Sequence, residues 1–146
     1  MSDALKDAGN KAFAAKQYDT AIDLFTQAIA IDPTNHVLYS NRSAANAGLK
    51  KWDAALDDAE QCIKVNPTWP KGYARKGAAL HGSRKWNEAI AAYEAGLKLE
   101  ESPALKKGLK EVQDAKGEFT PIFVKISQSS IYIHLRNRDG FFWIPG

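Results

Sequence analysis

Cysteine is almost missing from this chain. Cys62 is the single one in 146 residues, so no intrachain disulfide can form, and a reduced intracellular compartment fits. Long apolar runs are missing as well. No stretch approaches the roughly eighteen apolar residues that a membrane-spanning helix needs, and the amino-terminal MSDALKDAGNKAF is charged where a signal peptide would be apolar. Charge of one sign does not dominate: 20 basic residues stand against 17 acidic ones for a net +3, below the footprint of a nucleic-acid binder. His36, His81 and His134 are scattered, make no metal site with Cys62, and lie beside no set of residues that reads as a catalytic triad. A Gly-rich phosphate loop, HExxH and CxxC are all absent. The sequence therefore points away from an enzyme and calls for no cofactor or metal.

What the sequence does have is self-similarity. Written in rows of 34 residues beginning at Ser2, His36 and Pro70, it aligns Leu5, Tyr39 and Tyr73 in one column and Gly9, Ser43 and Gly77 in another. Further columns hold Tyr18, Trp52 and Trp86; Ala21, Ala55 and Ala89; and Ile29, Ile63 and Leu97. Pro33 and Pro67 close the first two rows. Within each row the apolar spacing is helical and broken once near the middle, so each row predicts a helix pair, over about 3–15, 20–31, 36–49, 53–65, 70–82 and 87–99. Asp19, Asp53 and Asn87 stand where second helices begin and are expected to cap them. Small residues at 9, 43 and 77 and at 21, 55 and 89 let paired helices approach closely. One column is uneven, with Ala59 between Phe25 and Tyr93.

SPALKKGLKEVQDAKG follows the third row. Ser102 is the expected N-cap and Pro103 the first helical residue, and Leu105, Leu109 and Val112 form a thin apolar stripe on an otherwise charged helix. Such a helix covers the exposed end of a repeat stack. From Gly117 the helical period is lost, and Ile131, Ile133 and Leu135 alternate with Tyr132, His134 and Arg136. Residues 117–146 read as an irregular or disordered tail or a weak hairpin.

A 34-residue helix pair with these columns resembles the tetratricopeptide repeat, and LKDAGNKAF, NHVLYSNRSAA and KGYARKGAAL resemble the first such domain of the Hsp-organising, or stress-inducible, co-chaperone family. The resemblance implies an all-α fold over 2–116, a right-handed superhelix of repeats 2–35, 36–69 and 70–103 with a capping helix at 103–116. It stops near residue 117, where the family continues with a linker and further domains, so the tail reads as aberrant and the chain as truncated. The family's first domain holds a carboxylate clamp for the C-terminal Glu-Glu-Val-Asp of cytosolic heat-shock chaperones. The matching positions here are Lys6, Asn10, Asn41, Lys71 and Arg75, all on first helices and at offsets three or four residues apart, so they share one helical face. Amide, ammonium and guanidinium donors suit a chain end that carries two carboxylates. Ala44, Ala47 and Leu80 are the expected apolar walls.

The implied partner is a chaperone of the 70-kDa class ahead of the 90-kDa class, met by a monomer in the cytoplasm, with the nucleus as a second compartment. A general protein scaffold using another repeat surface is the alternative. Nucleic acid is not expected as a partner, since Asp57, Asp58 and Glu60 interrupt any basic track, and neither is a membrane.

Overall fold

The computed structural model describes residues 1–119. Seven α-helices follow one another: α1 Ser2–Ala14, α2 Tyr18–Ile31, α3 His36–Gly48, α4 Trp52–Val65, α5 Pro70–Gly82, α6 Trp86–Leu99 and α7 Pro103–Phe119. Met1–Gln113 form one compact unit. The expected tail hairpin lies outside the described residues. Helices pair as α1 with α2, α3 with α4 and α5 with α6, and the first helices of successive pairs lie side by side, α1 against α3 and α3 against α5. That adjacency lines one face of the stack with α1, α3 and α5.

Glycine against an aromatic ring sets the closeness of two of these pairs. A Cβ placed on Gly9 would stand 2.6 Å from Phe25, and one on Gly77 would stand 2.6 Å from Tyr93, so only a hydrogen atom fits there. The same device joins neighbouring repeats: Tyr18 covers Gly48 and Trp52 covers Gly82. The second repeat has Ser43 and Ala59 in the corresponding places and fills the space with polar groups. Ser43 donates to the Ala55 carbonyl at 2.7 Å, and the buried Asp58 accepts from Arg42 Nη2 at 2.6 Å and from Asn46 Nδ2 at 3.0 Å. Arg42 Nη1 also reaches Thr26 on α2 at 3.0 Å, which ties the first repeat to the second. The uneven column thus marks a change of packing chemistry.

Second helices start without the expected caps. Asp19, Asp53 and Asn87 are each the second helical residue, and the N-cap positions belong to Gln17, Lys51 and Lys85, which make no side-chain cap. Asp19 and Asp53 act in the first turn, where negative charge complements the helix dipole. The reason lies in the preceding turn. Lys16, Lys50 and Arg84, each 34 residues after the last, have φ of 60°, 59° and 63°. In each turn the left-handed residue donates to a carbonyl three residues back and its successor to one five residues back, as in Lys16 N to Phe13 O and Gln17 N to Ala12 O, both 2.9 Å. This is a Schellman closure, and it runs straight into the next helix, so no residue is left to cap it.

Asn35 does cap α3, its Oδ1 accepting from Val37 N at 3.1 Å. Two further contacts repeat at the loops between pairs, where Tyr39 and Tyr73 donate to the carbonyls of Pro33 and Pro67. At the far end, α7 begins at Pro103, and its Leu105 and Val112 are buried with Leu80, Ala89 and Tyr93. α7 extends three residues past the expected limit at 116.

Candidate functional site

The face made by α1, α3 and α5 holds one recess lined by Asn10 and Phe13 of α1, Phe25 of α2, Asn41 and Ala44 of α3, and Arg75 of α5. Asn41 Nδ2 donates to Asn10 Oδ1 at 3.0 Å across 31 residues of sequence, so the first two repeats meet at this point. Arg75 comes in from the third repeat and donates through Nε to Ser40 Oγ at 3.2 Å. Three of the five residues expected at the clamp are therefore brought together, one from each repeat, along with Ala44.

The other two stand nearby on the same helices and make other contacts. Lys6, one helical turn before Asn10, lies 3.4 Å from Asp3 Oδ1, an exposed pair that contributes little. Lys71, one turn before Arg75, has its Nζ 5.9 Å from the centre of the Trp69 ring. Ala47 borders a separate recess with Trp52 and His81, and Leu80 is buried in the core of the third repeat.

The charges on α5 divide by direction. Lys76 pairs with Glu60 on α4 at 3.5 Å. Among the described residues neither Lys71 nor Arg75 has a carboxylate partner. For Arg75 this matters, because burial holds its guanidinium below the ordinary value, and only the smaller influence of Cys62 and Tyr93 opposes that shift. A half-buried cation without a counter-charge has lost part of its hydration and has no carboxylate to replace it, so an arriving carboxylate gains more here than at an exposed lysine. Cys62 is fully buried and burial pushes its thiol from 9.0 to about 11, which leaves it protonated and no nucleophile at neutral pH. Among the described residues no group of His, Cys, Asp and Glu is placed to hold a metal ion, and no helix is long and apolar enough to cross a membrane.

Sequence reasoning missed Phe13, Phe25 and Ser40. Phe13 follows Asn10 by three residues and so shares its helical face, a signal that was present; at 37% exposure it is a large apolar side chain left open beside amide donors. Phe25 carries no such signal, since it enters from a second helix; Ser40, four residues before Ala44, shares its face but is hidden under an arginine from the next repeat.

Stacked helix pairs of 34-residue period, with amide and guanidinium donors from three first helices in one recess, define a class: the chain belongs to the tetratricopeptide-repeat family. Within that family it is homologous, over about four-fifths of its length, to co-chaperones of the Sti1 type: it is 52% identical over 117 residues to the heat shock protein sti1 homolog of Schizosaccharomyces pombe. The match covers 80% of this chain and 20% of that protein, so the chain spans about a fifth of the length of this relative. Among solved structures, the first repeat domain of Spaghetti (RPAP3) bound to the HSP90 peptide SRMEEVD superposes with a TM-score of 0.74 at 36% identity, over 80% of this chain and 93% of that one. The second repeat domain of human RPAP3, in complex with the HSP70 peptide SGPTIEEVD, gives 0.73 at 32% identity, over 77% and 94%. No protein-family profile matches the chain.

Proposed function

We propose that residues 2–116 form a peptide-binding module that grips the C-terminal Glu-Glu-Val-Asp of heat-shock chaperones in the cytoplasm, as a monomer. The observation that carries this reading is the meeting of Asn10, Asn41 and Arg75 in one recess, with Arg75 lacking any carboxylate partner among the described residues. In this reading Arg75 forks onto one carboxylate of the ligand's end, the two amides donate to the other, and Lys6 and Lys71 swing from their surface contacts to supply charge. Phe13 and Ala44 offer an apolar wall to the side chain next to the terminus.

Charge-assisted bonds of about 1.5 to 3 kcal/mol each, less the ordering of a free peptide, lead to roughly micromolar binding. Titration of SGPTIEEVD against the same peptide with an amidated end tests the mechanism directly. Amidation, Arg75→Ala and Lys71→Ala should each weaken binding about tenfold or more. Equal binding by the free and amidated peptides would refute the clamp. The 70-kDa class is favoured over the 90-kDa class on the resemblance to the family's first domain, and SRMEEVD in the same assay decides that preference.

One observation favours a second reading, a general interaction scaffold. On the α4 and α6 side lies a recess of about 310 Å³ with Leu56, Tyr73, Ala92 and Ala95 in its walls. A protein partner seated there would be indifferent to a free carboxyl end.

A further inference from the structure

Ser40 is a fully buried hydroxyl that takes a bond from an arginine of another repeat, as the exposed Thr26 does from Arg42. Thr26 donates to Ile22 O at 2.7 Å, Ser43 to Ala55 O at 2.7 Å and Ser83 to Ala79 O at 2.9 Å, each turning its proton inward to a backbone carbonyl. Ser40 is fully buried, and its Oγ accepts a bond from Arg75 Nε at 3.2 Å. On α3 Ser40 precedes Ala44 by four residues, so it shares the helical face that lines the recess. It is hidden because an arginine of the next repeat lies over it.

The consequence is geometric. A guanidinium can meet a carboxylate side-on, through Nε and one Nη, or end-on, through both Nη groups. With Nε already committed to Ser40, the side-on edge is closed and the end-on fork remains. The plane of the fork is fixed by a helix of the neighbouring repeat, not by the flexible stem of Arg75 itself.

We propose that Ser40 is a positioning residue for carboxylate capture, holding Arg75 by Nε so that both Nη groups face the ligand. The inference rests on the clamp reading given above. A double-substitution cycle separates this role from a merely structural one, because loss of packing would weaken binding whether or not the arginine is present. SGPTIEEVD is titrated against the wild-type chain, Ser40→Ala, Arg75→Ala and the double variant, at a temperature where thermal unfolding curves show all four folded. Ser40→Cys, of similar size with a weaker acceptor, stands in if Ser40→Ala does not fold.

Ser40→Ala should lose about three- to tenfold in affinity beside Arg75 and nothing further once Arg75 is alanine, with Ser40→Cys between wild type and Ser40→Ala. Equal losses in both backgrounds, or none in the wild-type background, overturn the positioning role while leaving the clamp intact. Failure of the wild-type chain to prefer the free carboxyl end over the amide overturns the clamp and this inference together.

Discussion

Lys16, Lys50 and Arg84 hold the left-handed backbone region, which strains any side chain with a Cβ, at the one place in each repeat where the chain reverses. Glycine is the usual occupant of such a closing residue, and this chain uses cations. A positive side chain near the last carbonyls of α1, α3 and α5 recovers part of the strain through the helix dipole. Lys50→Gly should therefore raise unfolding stability only slightly, by about 0.5 kcal/mol, the left-handed penalty less the added freedom of the unfolded chain and the lost dipole contact, as read from urea denaturation. The sequence did not disclose this conformation, since a lysine pair in a turn reads as plain surface. It also misled about the residue three places on: Asp19 looks like a cap because it precedes an apolar run, yet the reversal consumes the capping position before the aspartate is reached.

At the scale of helices, the repeat columns are joined in complementary pairs sixteen residues apart. Gly9 faces Phe25 and Gly77 faces Tyr93, whereas Ser43 is matched by Ala59 and a half-buried Arg42–Asp58 pair. Periodicity alone made the six paired helices and the closing seventh legible, with boundaries within two residues for the pairs. The same periodicity was silent on why one column breaks, because the answer is a trade between two columns and a third residue on another helix. Gly9→Ala adds helix propensity worth about 1 kcal/mol, but drives a methyl into a ring that is completely buried, at a cost of about 1 to 3 kcal/mol. The melting temperature should fall. Phe25→Leu placed on top of Gly9→Ala should destabilise less than Phe25→Leu alone, and simple additivity of the two changes would contradict the pairing.

For the molecule as a stack, each helix pair leaves an apolar face that the next must cover, and α7 closes the last one. Leu105, buried against Gly96, forms that closure together with the fully buried Val112. Leu105→Ala should lower stability by about 2 to 5 kcal/mol, measured by thermal or urea unfolding, while a change at the exposed Lys106 or Lys107 leaves it nearly unaltered.

Of the candidate site, the donors on α1, α3 and α5 could be read from helical phase, but the phase says nothing about what each donor does while it waits. Asn41 is already bonded to Asn10, and Arg75 to Ser40. The groove is thus riveted to itself, first repeat to second and second to third. A guest that displaces the Asn41–Asn10 bond trades one amide bond for another and gains little from it, while the Asn10 amide and both Nη groups of Arg75 keep N–H donors to offer.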